Sequence, residues 1–183
     1  MQWVRIKKRE SCMRRGFLAG LLCILGVCTW GQSADRITEI LNSETVTYGQ
    51  ASYLAASYLG LVSEQATDSE AMEALIDNKL VKAKYMGSEE TPIPLANFCN
   101  ICCGTWYIVD SISYSIFKNP YYAWKEMKAF KYIPSGYTSQ KTLSGYEVLN
   151  IVTRCIEHHE RDSYERKIRA AIDEQEQQIE KFK

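Results

Sequence analysis

The chain carries no glycine-rich phosphate loop, no Gly-x-Ser-x-Gly elbow and no His-Glu-x-x-His signature. Those absences argue against the familiar nucleotide enzymes, serine hydrolases and zinc peptidases. Histidine is nearly missing, with only the adjacent pair His158 and His159. No charge of one sign dominates, because 22 basic residues balance 22 acidic ones. An apolar run of about 20 residues, the length a membrane helix needs, is also lacking. The longest candidate, residues 16–30, has 15.

That short run is nevertheless the most informative segment. Six basic residues (Arg5, Lys7, Lys8, Arg9, Arg14, Arg15) precede it, and the small and polar Gly31-Gln32-Ser33-Ala34 follows. Basic, apolar and small-residue regions in that order are the layout of an export signal, with cleavage expected after Ser33 or Ala34. The alternative is a retained N-terminal anchor, and on this reading the chain would meet a membrane only through this segment, if uncleaved or lipidated. Cys28 in Leu25-Gly26-Val27-Cys28 is a weaker candidate for lipidation, since Val27 is not small. It reads better as an ordinary apolar residue of the signal. Met13-Arg14-Arg15 also fits a twin-arginine pattern, or a second possible start at Met13. Residues 1–34 are therefore set apart from a repeat region, 35–156, and a charged extension, 157–183. Export places the protein in the periplasm or cell envelope.

Without the first 34 residues, 16 basic residues face 21 acidic ones, a net charge near −5. A mildly acidic domain has no electrostatic footprint for nucleic acid, so no nucleic-acid partner is expected. The remaining ~150 residues are enough for one domain with a real core.

Three segments of the remainder align without gaps: Val46-Thr47-Tyr48-Gly49-Gln50, Ile93-Pro94-Leu95-Ala96-Asn97 and Leu143-Ser144-Gly145-Tyr146-Glu147. Downstream, Ala51, Phe98 and Val148 correspond, as do Leu54, Ile101 and Ile151. Ala55, Cys102 and Val152 follow, then Leu59, Trp106 and Ile156. Spacings of i, i+3, i+4 and i+8 mark one face of an amphipathic helix. A second helix type precedes two of these, with Ala71, Leu75, Leu80 and Val81 matching Ala123, Met127, Tyr132 and Ile133. Asp68 or Ser69 is the expected N-cap of the first. The expected fold is all-α: two helix-loop-helix repeats plus one half repeat, with a long C-terminal helix. A unit of this size cannot bury its stripe alone, so the three copies should pack on one another.

The layout resembles the S-layer homology domain, whose repeats pair a first helix reading Ala-x-x-x-Leu-x-x-x-x-Leu-Ile with a second opening Ile-Thr-Arg-Ala-Glu and running to Leu-Gly-Leu. Val46-Thr47-Tyr48-Gly49-Gln50 leads here to Leu59-Gly60-Leu61, and residues 69–81 read like the first helix. The resemblance covers most of residues 44–156. It implies grooves between repeats, around Thr47, Gln50, Asn97, Ser144, Glu147, Tyr122 and Tyr137. Family members use such grooves for anionic cell-wall polysaccharide through the signature arginine. Tyr48, Leu95 and Gly145 stand at that position here, so glycan binding is expected to be weak or lost.

Four cysteines lie beyond the export segment: Cys99, Cys102, Cys103 and Cys155. With His158 they have the spacing of a small thiol or zinc site. The repeat places Cys102 at a core position, which favours buried thiols. A disulfide from Cys99 or Cys103 to Cys155 is the second choice in an oxidising compartment. No cofactor or bound metal is expected. Aromatic residues gather at Tyr121-Tyr122-Ala123-Trp124 and between Tyr132 and Tyr137, first as packing and second as a binding surface. From Arg154 onward seven basic and eight acidic residues carry a 4-3-4-3 seam of Ile168, Ile172, Gln175, Ile179 and Phe182. Such a helix either packs on its own domain or docks to another copy or an envelope protein. The expected role is non-enzymatic interaction or scaffolding.

Overall fold

A computed structural model describes residues 29–108 and 111–181, and they form seven α-helices. These are α1 (Thr29–Leu41), α2 (Tyr48–Tyr58), α3 (Asp68–Asp77), α4 (Leu95–Trp106), α5 (Ile112–Phe117), α6 (Pro120–Ala129) and α7 (Gly145–Lys181). A 3-10 turn, Ala83–Tyr85, lies between α3 and α4. The fold is all-α with a long C-terminal helix. Most of the expected export segment, with Cys28 and both candidate starts, lies outside the described residues. Its last positions, Ser33 and Ala34 included, belong to α1. The chain up to Glu39 clusters separately from Ile40–Lys183. Among the described residues no helix is long and apolar enough to cross a membrane.

Helix starts are fixed by short polar side chains. Thr47 and Gln50 form a reciprocal capping box on α2, and Thr67 and Glu70 form another on α3. Ser144 and Glu147 do the same for α7, with the Ser144 N–H donating to Glu147 at 2.9 Å. Each box satisfies N–H groups that a helix start leaves without partners. The cap of α3 is Thr67, not Asp68 or Ser69. Only Thr67 has a Glu three residues on, and Asp68 becomes the first helical residue. Asn119 caps α6 at the equivalent repeat position, with Pro120 in the first turn. Helix ends repeat as well. Gly60 and Tyr107 hold matching left-handed positions after α2 and α4, and Lys79 and Lys131 do so after α3 and α6.

The three aligned stripes are buried at their i, i+3 and i+4 positions, while Leu59 and Ile156 at i+8 are only half-buried. Packing runs half a unit out of phase with the sequence repeat. Helix α2 packs chiefly on α3, and α4 on α6, so the first two stripe helices pair with the second-type helix that comes after them in the chain. Lighter contacts join α2 to α4 and α4 to α7.

The segments that open the three stripes meet at the centre. Val46, Ile93 and Leu143 are fully buried. The Val46 N–H donates to the Leu143 carbonyl and the Ile93 N–H to the Val46 carbonyl, both at 2.9 Å. One residue into each helix the bonds go round in a circle. Tyr48 N–H donates to Thr91 at 3.0 Å, Leu95 to Lys141 at 2.8 Å and Gly145 to Ser43 at 2.9 Å. Each copy thus satisfies a helix-start donor on the next copy's approach loop, and the third returns to the first. The last link explains Gly145. A Cβ there would lie 1.6 Å from the Ile40 carbonyl oxygen, so no side chain, arginine included, fits.

Candidate functional site: a groove beside the C-terminal helix

Helix α7 begins at a tight polar cluster. Glu147 takes hydrogen bonds from the Ser144 N–H, from the Tyr137 hydroxyl and from Lys141 Nζ at 2.8 and 3.1 Å. Lys141 also lies over the Tyr137 ring, 4.3 Å from its centroid. Burial alone would raise the Glu147 carboxyl, but the Lys141 and Tyr137 hydrogen bonds, the Ser144 N–H and the lysine charge bring it down to about 2. The same carboxylate, by accepting the Tyr137 proton, pushes that phenol up.

From this cluster a groove runs along α7. Its first part, about 320 Å³, is walled by Tyr132, Pro134, Tyr137 and Tyr146 and floored by Glu147, Asn150 and Arg154. A second part of about 400 Å³ continues past Tyr132 and Arg154 to Glu157, His158 and Arg161. Arg154 Nη1 donates to the Tyr132 carbonyl at 3.5 Å and marks the junction. Asn150, Arg154, Glu157, His158 and Arg161 share one face because they recur every three or four residues. The groove therefore combines aromatic faces with a row of hydrogen-bonding and charged groups, the equipment for holding an extended polar chain.

Of the residues expected to line inter-repeat grooves, Glu147 and Tyr137 lie here, and Ser144 stands beside them as the α7 cap. Thr47 and Gln50 are instead committed to capping α2, with Gln50 Nε2 donating to Ser43 Oγ at 3.3 Å. Asn97 donates to the Tyr85 carbonyl at 2.7 Å. Tyr122 stacks on Phe117, with centroids 5.1 Å apart, on a different part of the surface. Tyr146, Asn150, Arg154 and Arg161 were not singled out by the sequence. Their signal is a polar stripe beside the apolar one on α7, which composition alone does not distinguish from a solvated face.

The cysteines form a buried cluster rather than a reactive site. Cys99, Cys102, Cys103 and Cys155 are all free thiols. Cys102 and Cys155 lie close enough across α4 and α7 to interact. Cys99 and Cys103 also lie near Cys155. Burial pushes the Cys99, Cys102 and Cys103 thiols well up, which holds them protonated and unreactive. His158 turns away from them, 3.3 Å from Asp162 and edge-on to Tyr132. Among the described residues no set of three His, Cys, Asp or Glu side chains converges for a metal ion. His159 Nδ1 lies 3.2 Å from the Trp106 carbonyl and stacks on Tyr107, so α7 is docked on its own domain that far. Beyond it Tyr164, Ile168 and Ile172 are exposed. The side chains of Gln175, Ile179 and Phe182 lie outside the described residues.

A smaller cleft of about 180 Å³ lies where α3, α4 and α5 end, lined by Lys79, Asn100, Tyr114 and Lys118. The Tyr114 hydroxyl donates to Asn100 Oδ1 at 3.3 Å. Lys79 and Lys118, at the C-terminal ends of α3 and α5, offset the negative ends of those helix dipoles, a structural role. No family model, curated protein or solved structure matches this chain.

Proposed function

We propose that this protein is a non-enzymatic, exported interaction module of the cell envelope. Its partner lies along α7, gripped by the groove and reached beyond it by the exposed Ile168 and Ile172. The observation that carries the reading is the groove itself, with Tyr132, Tyr137 and Tyr146 as walls and Asn150 and Arg154 on the floor. Aromatic walls with a bidentate-capable arginine suit recognition of a polar chain. The polar groups that a reaction would draw on are engaged in holding helix starts, as Glu147 and Ser144 are. The S-layer homology reading belongs with this proposal. Gly145 leaves no room for the family's arginine, and Arg154, about two and a half turns further along α7, supplies a guanidinium at the groove instead.

Crosslinked pull-down from intact envelopes tests the proposal. Tyr146→Ala and Arg154→Ala, both at exposed positions, should lower partner recovery about tenfold with unchanged circular dichroism. Wild-type recovery by both variants would remove the groove from the reading. Peptidoglycan offered in parallel distinguishes a glycan from a protein partner.

A further inference from the structure

The α5–α6 face carries a second surface unrelated to the groove. Ile112, Ile116, Phe117 and Tyr121 stand out from it, 78%, 67%, 52% and 51% exposed. The aromatic members are continuous through ring contacts. Phe117 stacks on Tyr122 at 5.1 Å, Tyr122 meets Tyr121 edge-on at 5.6 Å, and Tyr121 lies 6.0 Å from Trp124. Helix α5 is held from beneath by the buried Tyr114, which leaves Ile112 and Ile116, four residues apart, on its outer face.

Among the described residues, the outward charges on this face are of one sign. From Ser111 to Tyr132 the sequence has four lysines (Lys118, Lys125, Lys128, Lys131) and one acid, Glu126. Glu126 is only 4% exposed and accepts the Ser111 N–H at 2.6 Å, so it faces inward. None of the lysines is buried. Lys125 and Lys128 lie over the Tyr121 and Trp124 rings at 4.7 and 4.8 Å. This patch is basic on a domain that is acidic overall.

The geometry points to an anionic lipid bilayer as the occupant, with Ile112, Ile116 and Phe117 entering the acyl boundary and the lysines and tyrosines at the headgroups. Charge complementarity selects a negative surface, and tyrosine, tryptophan and lysine are the side chains that settle at membrane interfaces. An anionic polysaccharide satisfies the lysines but gains nothing from two protruding isoleucines. A protein partner in place of a bilayer would leave vesicle binding at background.

Vesicle co-sedimentation of the full chain is the test, comparing phosphatidylcholine alone with phosphatidylcholine containing phosphatidylglycerol, at half-saturating lipid. Binding to the anionic vesicles should be at least about tenfold tighter and weaken with salt. Ile112→Ser/Ile116→Ser/Phe117→Ser and, separately, Lys125→Glu/Lys128→Glu should each reduce it about tenfold or more, with unchanged circular dichroism. The N-terminal segment is common to every chain compared, so a difference between chains reads the patch. Binding of the triple variant within about twofold of wild type overturns the proposal, as does equal binding to neutral vesicles. Loss of anionic polysaccharide retention with vesicle binding intact overturns it in favour of a glycan surface.

Discussion

Replacing Gly145 with alanine sets helix propensity against tertiary structure. Alanine at a helix position is worth up to ~1 kcal/mol over glycine in an isolated helix, so propensity alone favours the variant. The structure demands the opposite. The new Cβ would lie 1.6 Å from the Ile40 carbonyl oxygen, 2.6 Å from its carbon and 2.8 Å from the Leu41 oxygen. All three are backbone atoms, so no rotamer change relieves the clash, and α7 must move away from residues 40–43. Separation breaks the Gly145 to Ser43 hydrogen bond, at about 1 kcal/mol, and overpacking adds about 1–3 kcal/mol. Set against the ~1 kcal/mol propensity gain, the net loss is about 1–3 kcal/mol, out of a total stability of about 5–15 kcal/mol. Urea unfolding followed by circular dichroism should show the midpoint falling by about 0.5–1.5 M, for a slope near 2 kcal/mol per molar. Gly136→Ala is the control, because a Cβ there meets nothing within 4 Å. A midpoint for Gly145→Ala equal to or above wild type would refute the closure of the third segment on the first.

Two further outcomes follow from the caps. The Glu147 carboxyl is depressed to about 2 in the folded protein, from an ordinary value of 4.5. The unfolded state therefore takes up the proton first as pH falls, so the contribution of Glu147 is complete above about 4.5 and lost toward 2. Urea midpoints measured across that range should decline less steeply for Glu147→Gln than for wild type, and parallel curves would contradict the hydrogen-bonded cluster. Lys79 is exposed and left-handed at φ 58°. Lys79→Gly relieves about 1–2 kcal/mol of backbone cost and forgoes the smaller helix-end charge term, so the melting temperature should rise by about 2–4 °C. A lower melting temperature would count against the assigned backbone.

The helical class and the three stripes were legible in the sequence because burial imposes a 3.6-residue period, and Val46, Ile93 and Leu143 announce where each begins. Periodicity does not say which neighbour a stripe faces. The pairing of α2 with α3 and of α4 with α6, half a unit out of phase, was therefore invisible. Helix α5 escaped notice for a related reason. Only Tyr114 of its six residues is buried, so its outward Ile112 and Ile116 break the inside–outside rule that the reading depends on. In the candidate site, Glu147 was picked out through the repeat and Tyr137 through the clustering of aromatics, but Arg154 and Asn150 were not. An arginine on a charged helix looks like solvated surface until a tyrosine wall is placed opposite it.

The circular set of bonds from Tyr48 to Thr91, Leu95 to Lys141 and Gly145 to Ser43 bears on how such a chain can change in size. An open stack gains or sheds a unit at its end and keeps its remaining interfaces. A closed ring of three does not: a fourth copy has no seat, and a missing one exposes two faces at once. Variation in length is consequently confined to the spokes, as with α5 inserted before α6 and α7 running on past the hub.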